Sequence, residues 1–148
     1  MNVLSTGELG RLVVVALDPH DMLLESIHKT INEENIDNGI VISGIGTLKN
    51  LRMHYIKHTD FPPDDEITNI ERPLELVSVS GIIADGEPHL HVVVSCGRDD
   101  TFAGHLEEGS EVAYLAEVAI LTTPNLNMAR KLDRRRDIRL LRLQDEEV

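Results

Sequence analysis

The sequence predicts an α+β domain, a curved and mainly antiparallel β-sheet carrying one principal helix. Three observations lead there. Aromatic residues make up only 3% of the chain and Trp is absent, so the core must be built from Val, Ile and Leu; such side chains favour the pleated surface of strands. A single stretch carries a helical repeat. Nearly everything after it consists of short alternating runs separated by turn residues, the pattern of a sheet rather than a bundle. With 148 residues, one domain can bury a core without metal or disulfide support.

The elements follow in order. Arg11-Leu-Val-Val-Val-Ala-Leu17 is a β-rich run and reads as a strand. Asp18-Pro19 then offers an N-cap with proline at the first helical position. Leu23, Ile27 and Ile31 recur every four residues with Leu24 beside them, an apolar stripe on a helix of about four turns. That helix should end near Asn35, with Asn38-Gly39 as the following turn. Gly39–Gly46 reads as a buried strand and Leu51–Lys57 as a half-buried one, whereas Phe61-Pro-Pro-Asp-Asp-Glu66 reads as an exposed acidic loop. Leu74–Ala84 alternates with period two, and Asp85-Gly86 is a two-residue hairpin turn into Pro88-His-Leu-His-Val-Val-Val-Ser95. After a turn at Gly97–Asp100 and a glycine-bounded segment, Gly104–Gly109, the last long strand is Val112–Leu121.

The net charge is −12 and unevenly spread. Residues 1–127 hold seven Lys and Arg against 21 Asp and Glu, while residues 128–148 hold seven against five. A body this acidic repels phosphate backbones and excludes generic nucleic-acid binding by that part of the chain. The tail, with Arg134, Arg135 and Arg136 at its centre, is the one stretch suited to phosphate contact; a solvated charged strand or helix end is the plainer reading. No signal-peptide pattern and no apolar run near the roughly 20 residues of a membrane span is visible. With a single cysteine, Cys96, a disulfide framework is excluded and a cytoplasmic location expected.

The chemistry concentrates in Gly86-Glu-Pro-His-Leu-His91. Residues i and i+2 of a strand share a face, so His89 and His91 project together with Cβ atoms about 6–7 Å apart, close enough for both imidazoles to reach one small cation. His105, past the next turn, can fold back as a third. Three imidazoles with one open position form a common reactive zinc site. In a chain with seven histidines, spacing alone leaves metal ligation and solvated histidines both open. His20, His28, His54 and His58 read as surface residues, and Cys96 as a small buried hydrophobe. Glu87 precedes the pair at the turn and is a candidate general base or partner of a ligand; Glu117, mid-strand among Ala, Val and Leu, is the second candidate carboxylate. No Gly-x-Ser-x-Gly, Walker-type or dinucleotide glycine motif occurs.

Gly44-Ile-Gly-Thr-Leu48, Leu74–Ala84, Gly86-Glu-Pro-His-Leu-His91, Ala103-Gly-His-Leu106 with Gly109, and Ala116-Glu-Val118 stand in one order and spacing. Together they resemble the plant- and prokaryote-conserved (PPC) domain of the PD1-like DNA-binding proteins. The resemblance covers residues 8–125 and leaves 126–148 as a charged C-terminal extension with room for a final strand. It implies an α+β domain assembled as a homotrimer and a metal, zinc above others, held by His89, His91 and His105. Ala103 departs from a position that is usually glycine, which would tighten a turn before His105. The Arg-Gly-Arg-Pro hook with which plant relatives read DNA does not occur here.

Two functions follow as expectations. One is a cytoplasmic, trimeric, zinc-binding module with a DNA-associated or regulatory role, touching DNA through the Arg134–Arg136 tail if at all. The other is a zinc-dependent hydrolase or hydratase acting on a small molecule at the metal, with Glu87 or Glu117 moving the proton.

Overall fold

A computed structural model describes residues 1–146. Strand β1 (Leu12–Leu17) leads to α1 (Leu23–Glu33), and β2 (Asn38–Leu48) follows. Then come β3 (Leu51–Ile56), β4 (Asp65–Ile70), β5 (Leu74–Ala84), β6 (Glu87–Cys96), β7 (Asp100–Leu106) and β8 (Val112–Thr122). These eight strands form one sheet in the order β1-β8-β2-β5-β6-β7-β3-β4, and every pairing in it is antiparallel. The expected class, a single α+β domain with a curved antiparallel sheet, is the one observed. The extension contributes β9 (Met128–Asp133) and β10 (Ile138–Leu143), a separate antiparallel hairpin rather than one added strand.

Helix α1 buries the predicted stripe, Leu23, Leu24, Ile27 and Ile31, in one cluster with Val41, Val79, Leu90, Val92, Val94, Val118 and Ile120 from the sheet. Its start differs from the expectation. Asp18-Pro19 does not cap the helix: His20 has φ 78° and the Asp21 N–H donates to the Asp18 carbonyl at 3.2 Å, which closes a tight turn of the kind that takes proline at its second position. The helix begins at Leu23 after Met22, which gives no side-chain cap; the Leu23 N–H donates instead to the Ser110 carbonyl at 2.8 Å, so a neighbouring loop satisfies what a cap would have. The far end matches expectation more closely. Asn35 takes φ 53°, its N–H donates to Asn32 and that of Ile36 to Ile31, the two hydrogen bonds of a Schellman stop.

Asn38-Gly39 is therefore not a turn but the start of β2. Asn38 is buried, its side-chain oxygen accepts the Met128 N–H at 2.8 Å and its carbonyl accepts the Thr123 N–H at 2.9 Å, which pins the C-terminal hairpin to the sheet. The acidic loop is shorter than expected, because Asp65 and Glu66 already belong to β4. That edge strand was unpredicted because its residues are mostly polar and exposed, and only Ile70 is buried. Asp85 and Gly86 both have positive φ, 55° and 73°, the geometry of the hairpin turn the sequence specified. Ala103 lies inside β7 opposite Val93, so its replacement of glycine alters no turn.

Glycine is required at two places that bear on the site, Gly81, where a Cβ would collide with the His89 carbonyl, and Gly104. A Cβ on Gly104 would stand 2.6 Å from the His54 carbonyl oxygen, because β3 approaches β7 closely there. Gly104→Val is expected to destabilise the fold by about 1–3 kcal/mol through overpacking, seen as a lower urea midpoint; an unchanged midpoint would show that β3 can move away freely.

Candidate metal centre

Strand alternation aims the inner residues of β6, Leu90, Val92 and Val94, into the core and leaves His89 and His91 on the open face. Hairpin β6–β7 then sets His105 directly opposite His91. The three imidazoles converge: ring centroids lie 5.4 Å apart for His89–His91, 4.6 Å for His89–His105 and 5.5 Å for His91–His105. One ring nitrogen from each can be chosen so that all three lie within 4.8 Å of one another. They face a hollow of about 400 Å³ that Tyr55, Ile56 and Gly104 also line.

Electrostatics prepares the cluster for a cation. Burial, with help from His54 and His89, pushes the His105 pKa down to about 4. Burial and the nearby Arg130 guanidinium also lower that of His89. Imidazole binds a metal only as the neutral base, so these shifts favour the ligating form of His89 and His105. Three neutral imidazoles suit zinc and other divalent ions that prefer nitrogen donors, and the donor set therefore fits a metal.

A second group adjoins the first. His54 on β3 is the cross-strand partner of His105 on its other side, and the two rings stack at 4.4 Å. His54 Nδ1 lies 2.5 Å from Glu107 Oε1, and His54, His105 and Glu107 form a further set with metal-ligand spacing. His54 was expected on the surface, yet its side chain is only 23% exposed. The missing information was the register that lays β3 against β7; the outward phase of His54 in the alternating Leu51–Ile56 run and the i+2 spacing of His105 and Glu107 were both readable.

The other candidates are dispersed. Glu87 shares the open face of β6 with the histidine pair but stands exposed at the hairpin turn. Glu117 lies on β8, three strands from β6, at least about 14 Å away. Cys96 packs partly against the core on the opposite face. Arg134, Arg135 and Arg136 form the turn between β9 and β10, where Arg136 pairs with Asp133 at 2.6 Å and the Arg135 N–H donates to the same carboxylate. His20 pairs with Glu111 at 2.8 Å at the surface.

The depressed His105 pKa has a sign that can be checked. The unfolded chain takes up this proton near pH 6.5 while the folded chain refuses it until about pH 4, so stability falls as pH drops through that window. Metal-free protein is expected to melt at progressively lower temperature from pH 6.5 to 4, with a flatter profile for His105→Gln. Superimposable profiles would contradict a desolvated, neutral His105.

Comparison with known proteins places this site in context. Residues 4–124 match the family model of the Plants and Prokaryotes Conserved (PCC) domain. The fold is similar to a plant- and prokaryote-conserved (PPC) protein of Pyrococcus horikoshii (28% identity, TM-score 0.77, covering 98% of this chain and 100% of that one). It is similar also to a metal-containing protein of Archaeoglobus fulgidus (24%, 0.80, 95% and 98%) and a candidate DNA-binding protein of Bacteroides thetaiotaomicron (18%, 0.77, 96% and 99%). Among curated proteins, the bifunctional protein GlmU of Synechococcus sp. (strain JA-2-3B'a(2-13)) is 24% identical over 83% of this chain, which spans only 18% of that relative's length. The hairpin β9–β10 lies beyond the matched segment. With the family model covering most of the chain and the ordered sheet, helix and histidine cluster lying within it, this protein belongs to the Plants and Prokaryotes Conserved domain family.

Proposed function

We propose that this chain is a zinc-binding, homotrimeric module of the PCC family, with His89, His91 and His105 as the metal ligands and a DNA-associated or regulatory role. The convergence of three imidazoles on one open hollow, with the pKa of His89 and His105 lowered, carries the reading. The metal-containing relative with the same fold supports it. Residues 8–125 form the working domain in this reading and 126–148 an appended element. Homotrimer formation is supported by the open face of the sheet, where Leu12, Val14, Ile45, Val77 and Leu115 are exposed; apolar patches of this kind mark interfaces. No helix among the described residues is long and apolar enough to cross a membrane, and a reducing cytoplasm suits the free Cys96.

A DNA role is supported by the candidate DNA-binding relative and, in this chain, rests on the hairpin turn. Arg134 and Arg135 are exposed there without an ion-pair partner among the described residues, and a trimer would present three such turns. The acidic body opposes non-specific contact elsewhere.

A second reading, small-molecule chemistry at the metal, is favoured by one observation: the His54–Glu107 pair at 2.5 Å against His105. Bound zinc would supply a Lewis acid. Glu107 would accept a hydrogen bond from His54 Nδ1 and hold that ring against His105, while Tyr55 and Ile56 limit water at the hollow. Glu87 remains the exposed carboxylate available for proton movement on the same face, and Glu117 is too distant to serve.

Protein purified without a histidine tag is expected to carry one zinc per chain by elemental analysis. Its mass by light scattering should be three times 16.5 kDa. At a free zinc concentration about 100 times Kd the metal adds about 2.7 kcal/mol, which in a chain of this size raises Tm by about 5–10 °C. Chelation should reverse the rise and His89→Ala should abolish it; trace metal only, with His89→Ala melting like the wild type, would refute the site. For DNA, three phosphate contacts predict an affinity loss on the order of 40-fold between 50 and 200 mM salt. Simultaneous Arg134→Ala, Arg135→Ala and Arg136→Ala should remove that dependence, and salt-independent binding would overturn the assignment.

A further inference from the structure

The hairpin β9–β10 does more than present its turn. It lays Arg130 of β9 and Arg139 of β10 beside the edge of the histidine cluster, where they line a hollow of about 430 Å³ together with His89, Glu87 and Asp85. Arg130 is half-buried, and its Nη2 donates to the carbonyl of Ile82 at 3.2 Å. Ile82 is the cross-strand partner of His89, so the guanidinium is tethered to the residue opposite a proposed metal ligand. Arg139 is held to the same strand by a hydrogen bond from its Nη1 to the Arg130 carbonyl at 3.4 Å. Neither guanidinium has a carboxylate within ion-pair distance among the described residues. For Arg130, a half-buried cation without a counterion bears an uncompensated desolvation cost. His89 is a wall common to this hollow and the one the three imidazoles face.

We propose that Arg130 and Arg139 form an oxyanion subsite, on which a small carboxylate or phosphate monoester docks its charged group while the remainder passes His89 toward the metal centre. The inference rests on the metal reading for what lies at the far end of the ligand, but not for the anion contact itself. A guanidinium presents paired donors that match two oxygens of one carboxylate or phosphate. Asp85 at the turn and Glu87 at the start of β6 also line the hollow; they repel negative charge and so select small anions of low charge over polyanions. The hairpin lies outside the family-matched residues 4–124, so in this chain the matched domain supplies the imidazoles and the segment after it the anion anchor.

The test is titration of the full chain with inorganic phosphate and, separately, acetate, followed by 31P line broadening or calorimetry, with and without one equivalent of zinc. Arg130→Gln is expected to weaken binding at least tenfold and Arg139→Gln several-fold. Glu87→Gln should tighten it, a sign that loss of structure would not produce. Arg139 is exposed, so its variant keeps the test valid should Arg130→Gln perturb the hairpin. Binding that depends on the arginines but not on zinc, in protein that takes up no metal, would sustain the subsite and refute the metal. Absence of binding by the wild type, or equal binding by all variants, would overturn the subsite. Whether phosphate or acetate binds more tightly identifies the class of ligand headgroup.

Discussion

The pairing of His91 with His105 is the constraint on which the rest of the site depends. A two-residue turn at Asp85-Gly86 sets the phase of β6, and the β6–β7 register sets the partner. A one-residue slip in either would exchange the faces, burying imidazoles and exposing Leu90, Val92 and Val94. Hydrophobic burial therefore specifies the chemistry indirectly. The three inner side chains are fully buried, and their loss to solvent would cost several kcal/mol, far more than any contact among the histidines. The cluster is held in place by the residues that alternate with it.

Much of this was legible in the sequence because it depends on short-range rules. Period-two alternation marked β5 with its bounds and β6 to within one residue at each end, the Asp-Gly pair marked the turn, and the four-residue repeat marked the buried stripe of α1. What escaped depends on partners distant in the chain. Asp18-Pro19 looks like a helix start locally, but the loop carbonyl of Ser110 satisfies Leu23 and frees the helix to begin later. Asn38-Gly39 looks like a turn, but Asn38 is committed to Met128 and Thr123, about 90 residues on. His54 is indistinguishable from a surface histidine until β3 is seen against β7, on the far side from its neighbour in sequence, β2. Arg130 similarly acquires meaning only when the hairpin folds back on β5.

Charge is distributed to match this architecture. The acidic body attracts cations at long range, and the first triad of the site, His89, His91 and His105, contains no carboxylate. The cationic residues are concentrated on the appended hairpin, where they can act at a distance through Arg134 and Arg135 or at the edge of the cluster through Arg130 and Arg139. The two polarities are thus carried by separate segments of chain, joined by the hydrogen bonds of Asn38.

The β3–β7 ladder has a further consequence. Its register holds two residue pairs, Met53–Leu106 and His54–His105, extended by a hydrogen bond from the Glu107 N–H to the Arg52 carbonyl at 3.0 Å, whereas ladders such as β5–β6 run much longer. The β3–β4 ribbon is thus joined to the sheet by a short seam, and the imidazole stack spans that seam. Leu51, Met53 and Ile70 of the ribbon are buried in the core, so packing closes the seam along with the hydrogen bonds. Because His54 of β3 stacks on His105 across that seam, the backbone of β3 lies next to the histidines even though β3 supplies none of the three principal ligands.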